Sequence, residues 1–370
     1  MFLRALVEKS RCNTKYFLMK HLIIPIILAF IFLGCSDNAV NHETGYLELR
    51  GYTQGTTYQV VYKDSTDYKI EIEGLLSQVD REFNLWDSTS IISRLNRHSR
   101  TDTVFAFRDS MLNFTIMMEV SKDIYKKTEG AFDPSLLPLL ELWKFGKDET
   151  VKPTQEEIDS IKQFTGFTEF DFSLIDNPYE ESYQQNVQIR KSHAQRKLDF
   201  NAIVQGYTVD LIYDILDEKG VTDFMVNVGG EIKVKGKNPD QKKWSIGIQN
   251  PSVNDEEAQS IVELTDCSIA TSGSYRNFKE IGGVKYSHMI DGRSGYPVHH
   301  SLLSCTVIAS SAYEADAYAT AFMVMGTEEV DIFLRENAHL ELQVYLIEDI
   351  NGEYHVTYTP NFPLLKKKIE

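Results

Sequence analysis

The chain has 370 residues, 42% of them hydrophobic and 25% charged, with 20 Phe and 19 Tyr. That balance excludes an intrinsically disordered chain and supplies a real core for one large domain or two ordinary ones. A formal charge of −16 at pH 7 argues against nucleic acid as a partner, because phosphate backbones need a basic face.

The first readable segment is apolar. His21 to Gly34 (HLIIPIILAFIFLG) runs directly into Cys35. The run is shorter than the roughly 20 residues of a bilayer span and has the length of a signal-peptide core. Lys20 supplies the positive charge ahead of it and Met19 is a natural start, so residues 1–18 read as an upstream extension. Phe32-Leu33-Gly34-Cys35 resembles a lipobox, with Phe32 where Leu is usual, and makes Cys35 the lipidated first residue of the mature chain. An uncleaved anchor helix is the alternative. Either way the body is expected outside the cytoplasm, tethered to a membrane; the lipobox reading, which is preferred, makes it a membrane-anchored lipoprotein on the periplasmic face of the cell membrane. The expected organisation is a leader over 1–35, a tether over 36–45, one folded body over 46–360 and a tail over 361–370.

In the body, Tyr46 to Tyr62 alternates around a Gly-Thr-Thr turn and predicts strand, tight loop, strand. Helical spacing predicts a helix over 70–83. A second is predicted over 107–127, with Phe107, Met111, Phe114, Met118 and Tyr125 on one face and Gly130 as its cap. Further helices are predicted over 154–164, entered after Pro153, and over 201–219, closed by Gly220 with Asp199 near its N-cap. Residues 171–193 are polar and acidic and read as a tolerant insertion ending in a hairpin. Strands are expected at 224–228, 232–235, 244–248, 260–264, 342–348 and 354–358. A helix rich in small residues is expected over 313–325, capped by Gly326. Strands and helices do not alternate as regular βαβ units. The pattern favours an α+β fold, largely antiparallel sheets packed with helices, over a doubly wound one. Cys267 and Cys305 could form one disulfide in an oxidising compartment, and no Cys/His spacing suits a structural zinc.

Four motifs could carry chemistry. Asp199-Phe-Asn-Ala-Ile-Val-Gln-Gly206-Tyr-Thr-Val-Asp210 places an acid and backbone N–H groups at a helix start, where anions bind; the plain alternative is an N-cap Asp. Val228-Gly229-Gly230-Glu231 lets backbone approach a ligand closely, or is a simple turn; it is not a dinucleotide fingerprint. Asp316 and Thr320, at i and i+4, share one helix face and offer two oxygens to a hard cation such as Mg²⁺; the alternative is a Thr bonded back to its own helix beside a solvated Asp. His288-Met-Ile-Asp291-Gly-Arg293-Ser-Gly295-Tyr-Pro297 gathers a base and a phosphate contact in one loop, or is a polar loop with a structural His.

Taken together, eight blocks resemble those of the ApbE flavin transferases, in order, from about residue 51 to 326. They are GYTQGTTY, FNLWDSTSIISRLN, TEGAFDPSLLPLLELWKFG, LDFNAIVQGYTVD, FMVNVGGEIKVKG, IATSGSYRN, HMIDGRSGYPV and EADAYATAFMVMG. The resemblance implies an ApbE-like fold and an FAD:protein FMN transferase, which moves FMN from FAD onto a Thr or Ser hydroxyl of an extracytoplasmic acceptor flavoprotein and releases AMP. It implies that Gln54, Trp86, Ala131, Phe132, Asp133, Asp199, Gln205 and Ile290 hold FAD. It implies that Mg²⁺ is held by the Ala202 backbone oxygen, Asp316 and the Thr320 hydroxyl, with Ala319 adjacent. His288 is the candidate base, with Asp291 orienting it or sharing its role. Asp291-Gly-Arg-Ser294 also looks like a flavin acceptor sequence, but its register with the family assigns it to the active site. The chain departs from the family pattern at Gln54 for Met, Gln205 for Lys, Gly292 for Pro and Ser294 for Thr; Gln205 removes a charge that could offset pyrophosphate. Two rival readings keep the same site: an FAD pyrophosphatase yielding FMN and AMP, and a flavin-binding lipoprotein without catalysis.

Overall fold

Period-2 alternation builds the first hairpin. Strands Tyr46–Thr53 and Thr56–Lys63 pair antiparallel, Leu49 opposite Val60 and Leu47 opposite Tyr62, and all four side chains are buried on one face. The computed structural model describes residues 45–109, 113–144, 152–175, 185–251, 258–274, 278–281 and 284–365. The leader, Cys35, residues 36–44 of the tether, Met111 and residues 366–370 lie outside the described residues.

Among the described residues the hairpin opens an eight-stranded sheet. Phe224–Val228, Glu231–Lys235, Cys267–Gly273, Leu302–Ala309, Gln343–Ile350 and Glu353–Tyr358 follow across it in chain order, and every neighbouring pair is antiparallel. The sheet is thus a meander whose connections carry everything else. The expected α+β architecture with largely antiparallel sheet is what the chain adopts.

The helices are α1 (Lys69–Phe83), α2 (Ile91–Arg97), α3 (Asn113–Lys127), α4 (Leu137–Trp143), α5 (Gln155–Lys162), α6 (Val204–Glu218) and α7 (Ala312–Glu336). α1 buries Ile72, Leu75, Val79 and Phe83, spaced three or four apart, each contributing roughly 1.5–3 kcal/mol of burial. α5 starts with a capping box: the Thr154 hydroxyl accepts from Glu157 N–H (3.2 Å) and Glu157 Oε2 accepts from Thr154 N–H (2.8 Å). The main core joins one sheet face to the helices, with α6 and α7 nearest the sheet. A second core covers the other face with Trp244, Ile248, Val262 and Leu264 from a small sheet of Trp244–Gln249, Ala258–Leu264 and Leu364–Leu365. The folded body therefore continues past residue 360, with Phe362 buried. No helix among the described residues is long and apolar enough to cross a membrane.

Several elements differ from the sequence expectation. Of the helix expected over 107–127, the described part is Asn113–Lys127; Phe105–Asp109 is a strand, because Phe105, Phe107 and Asp109 alternate inward with Ala106 and Arg108 outward. The segment expected as a surface insertion over 171–193 supplies two strands, Phe170–Ile175 and Gln185–Lys191, which pair with each other and, through the latter, with Phe105–Asp109. Gly326 ends the helix expected over 313–325, but a second helical stretch follows at once to Glu336; the Gly326 backbone (φ 76°, ψ 169°) is a conformation only glycine holds easily. Cys267 and Cys305 are both free thiols, on neighbouring strands in which Ser272, not Cys267, faces Cys305.

Between α1, α3 and α6 lies a buried polar pocket. Glu82 is 5% exposed; its Oε1 accepts from Gln78 (3.1 Å), while among the described residues neither its Oε2 nor Asp109 Oδ1 has a partner. Burial first, then the Asp109 charge, raises the Glu82 carboxyl to about 7 from an ordinary 4.5. The folded state therefore retains a proton that the unfolded chain gives up, and stability falls as pH rises from about 4.5 to about 7. Glu82→Gln should remove that slope. Urea denaturation should find it more stable than the parent at pH 8 by on the order of 1–3 kcal/mol, converging below pH 4.5. Parallel pH profiles for the two proteins would contradict this account.

Candidate active site

Where α6 meets α7, two helices approach closer than side chains normally allow. A Cβ on Gly206 would sit 2.3 Å from the Ala312 carbonyl oxygen and 2.9 Å from Asp316 Cβ. With only hydrogen there, Gly206 N–H donates to Asp316 Oδ2 (3.1 Å). Gly206 lies in the first turn of α6, where an N–H has no acceptor within its own helix, so the Asp316 carboxylate satisfies it; Ala202 precedes that turn. Asp210, one turn further along α6, fixes where α7 starts. Its Oδ2 accepts from Ala312 N–H (2.8 Å) and Tyr313 N–H (3.0 Å), and its Oδ1 pairs with Lys233 (2.6 Å) on the sheet.

Thr320 lies one turn beyond Asp316. Among the described residues its hydroxyl is bonded to Ser272 Oγ (3.2 Å), on strand Cys267–Gly273, and not to its own helix. The alternative of a back-bonded Thr beside a solvated Asp is therefore not what the chain adopts: Asp316 is 6% exposed and engaged by α6.

These groups line a cavity of about 800 Å³, a size suited to a cofactor-sized ligand. Ala202, Gln205, Asp316 and Thr320 form one wall. Phe132, Asp133 and Asp199 form another, tied together by Asp199 N–H donating to the Pro134 carbonyl (2.7 Å). Gly229-Gly230-Glu231 contributes a turn with φ of 72° and 118° at the two glycines, and His288 and Ile290 approach from the hairpin Ile290–Asp291/Tyr296–Pro297. Ala131 also lines it.

Asp199 does not cap α6, which starts five residues later with Ile203 at the N-cap; its Oδ1 accepts from Asn201 N–H (2.8 Å) in a local turn. Its place is the cavity wall. Four of the proposed site residues lie outside the lining. Trp86 is 78% exposed. Gln54 donates to the Thr208 hydroxyl (2.6 Å), and among the described residues its own buried Oε1 has no partner. Ala319 is buried in α7, next to Thr320. Asp291 Oδ1 is occupied by Arg293 N–H (2.8 Å) and Nε (2.9 Å), and Arg293 continues to Glu329, so this acid braces its own turn.

Electrostatics single out the cavity. Its described lining holds Asp133, Asp199, Glu231 and Asp316 and no Lys or Arg. Burial raises Asp133 and Asp199 each to about 6. Burial also pushes Asp316 and Glu231 up, and Glu231 further feels the Asp316 charge. Two neighbouring carboxylates, a hydroxyl not bonded to its helix and the backbone carbonyl of Ala202 are all hard oxygen donors. That set fits a divalent cation of the Mg²⁺ type, and its charge would relieve the very acids that burial disfavours. Glu231 was visible in the Gly-Gly-Glu motif without a role, and Ser272 only as part of a family block; neither its partner nor its depth is encoded locally.

A mixed fold around a deep, acid-walled cavity places this chain among enzymes that handle flavins: the flavin transferase ApbE from Vibrio cholerae superposes with a TM-score of 0.72 at 32% identity, covering 86% of this chain and 98% of that one. The apo form of the Pseudomonas stutzeri flavinyl transferase ApbE gives 0.70 at 32% identity, covering 85% and 94%. The chain belongs to the ApbE family, whose model matches residues 54–346. Among its relatives are the FAD:protein FMN transferases of Vibrio cholerae serotype O1, 33% identical over 91% of this chain and 97% of that protein, and of Escherichia coli K12, 31% identical over 90% and 94%.

Gly206→Ala tests the helix contact. Its methyl must displace the Ala312 backbone, so urea denaturation should show a loss of about 1–3 kcal/mol. An unchanged midpoint would mean the helices do not meet at this point.

Proposed function

We propose that this chain is an FAD:protein FMN transferase that moves FMN from FAD to a Thr or Ser hydroxyl of an acceptor flavoprotein and releases AMP. The observation that carries the reading is the bond from Gly206 N–H to Asp316, which holds α7 against α6 so that Asp316, Thr320 and Ala202 share one wall of the cavity in a flavin-transferase fold.

Asp316, Thr320 and the Ala202 carbonyl would hold Mg²⁺, with Ala319 adjacent in the helix. Bound there, Mg²⁺ would offset the diphosphate charge of FAD and favour in-line attack. Ala131, Phe132, Asp133, Asp199, Gln205 and Ile290 line the space for FAD, and Gln205 offers a neutral hydrogen bond there. His288 faces the same space and takes the proton from the acceptor hydroxyl. The hydroxyl oxygen bonds to the FMN-side phosphorus, the bond from that phosphorus to the bridging oxygen breaks, and AMP leaves with the bridging oxygen. Asp291, held by Arg293, positions the loop that carries His288.

Incubating the purified chain with FAD, Mg²⁺ and an acceptor protein should give in-gel flavin fluorescence on the acceptor, with one AMP released per label. AMP without label would support the pyrophosphatase instead, and bound FAD with neither product would support the binder. Asp316→Ala should abolish the Mg²⁺-dependent reaction. His288→Ala should slow transfer by about 10²–10⁴-fold while FAD still binds; unchanged turnover would remove His288 from the scheme.

We also propose that Cys35 carries the lipid and holds the body on the periplasmic face of the cell membrane, where acceptor proteins are reached. The motif His21–Cys35 supports this. Detergent phase partitioning should place the parent in the detergent phase and Cys35→Ser in the aqueous phase; a parent found in the aqueous phase would contradict the anchor.

A further inference from the structure

A cation that takes a lone pair from a threonine oxygen needs the hydroxyl proton turned away from it, toward an acceptor. Thr320 is on α7, and a helical Thr normally turns that proton back to the carbonyl four residues earlier. Here the hydroxyl instead meets Ser272 Oγ at 3.2 Å, across from the helix on the sheet strand Cys267–Gly273. Both residues line the cavity, and Ser272 is half-buried, so bulk water does not readily replace it.

The strand itself is held firmly. Ser272 stands opposite Cys305 in the sheet register, and its neighbour Thr271 shares a hydroxyl–hydroxyl bond with Thr306 (2.8 Å). Ser272 is therefore a fixed hydroxyl, able to donate or accept, facing a helix that Asp210 has fixed from the other side.

The geometry points to Ser272 as a positioning residue: it accepts the Thr320 proton and thereby presents the Thr320 lone pairs to the cation. This rests on the cation reading above and adds a residue that bears on the cation through Thr320. Ser272 acts only through Thr320, so its effect must vanish when the Thr320 hydroxyl is absent.

Mn²⁺ binding by the full chain, followed by electron paramagnetic resonance without FAD, tests this. Ser272→Ala should weaken Mn²⁺ about tenfold, the lower end of what loss of an outer-shell partner costs. Ser272→Thr, which keeps the hydroxyl, should stay within about threefold of the parent, and the metal-free melting temperature should be the same in all three. Thr320→Val should weaken Mn²⁺ at least as much as Ser272→Ala, and the double variant should match Thr320→Val within about twofold. Parent-like Mn²⁺ affinity in Ser272→Ala, or additive losses in the double variant, would overturn the proposal while leaving the cation site standing. A parent chain that binds no Mn²⁺ would overturn the cation site and this proposal with it.

Discussion

The site depends on how closely α6 and α7 can lie. Gly206 has no side chain, so the Ala312 backbone rests against it and Asp316 reaches its N–H. Asp210 does the complementary work from the same helix, capping the first turn of α7 and pairing with Lys233 of the sheet. One acid sets the axial position of α7 and one glycine sets its distance. Asp316 and Thr320 then fall where α7's own periodicity places them, one turn apart on the cavity side. A change at either anchor would shift both side chains together.

The charge on the cavity follows from the same packing. Burial holds Asp133, Asp199, Glu231 and Asp316 above the ordinary carboxylate range, so ionising them costs free energy. A fold selected for stability alone would replace some of them with apolar residues. Their retention on one surface matches a ligand that arrives with positive charge of its own, and a diphosphate accompanied by a divalent cation is such a ligand. Gln205, at the first turn of α6, adds a hydrogen bond to that wall but no charge.

Much of this was legible in the sequence wherever one face of an element meets water. α1, α5, the first hairpin and the strand Phe224–Val228 announce themselves by periodicity and caps. The central strands Cys267–Gly273 and Leu302–Ala309 do not. Leu302–Ala309 is buried at nearly every position, so the alternation that marks a half-exposed strand is missing. Phe105–Asp109 misleads in the opposite way, because Phe107 lies at helical spacing from residues of α3. Asp316 and Thr320 were readable as a pair on one face, but the choice between ligand and back-bonded Thr turned on Ser272 and Gly206, which are 48 and 110 residues away from their partners. Glu231 is harder still: its meaning comes from facing Asp316 across the cavity.

The interruption at Gly326 separates two jobs within one helix. Met323 O, freed by the break, is met by His300 Nε2 at 2.9 Å, and the His300 ring fills the space a side chain on Gly326 would need. The segment Ala312–Met325 is thus terminated in its own right, with its own stop. Beyond it the second stretch fills the core with Val330 and Phe333 and sends Glu329 to Arg293, which braces the Asp291 turn. One helix thus reaches the cavity twice, directly through Asp316 and Thr320 and at one remove through the loop of His288, so a substitution at its rear would be felt first by that loop.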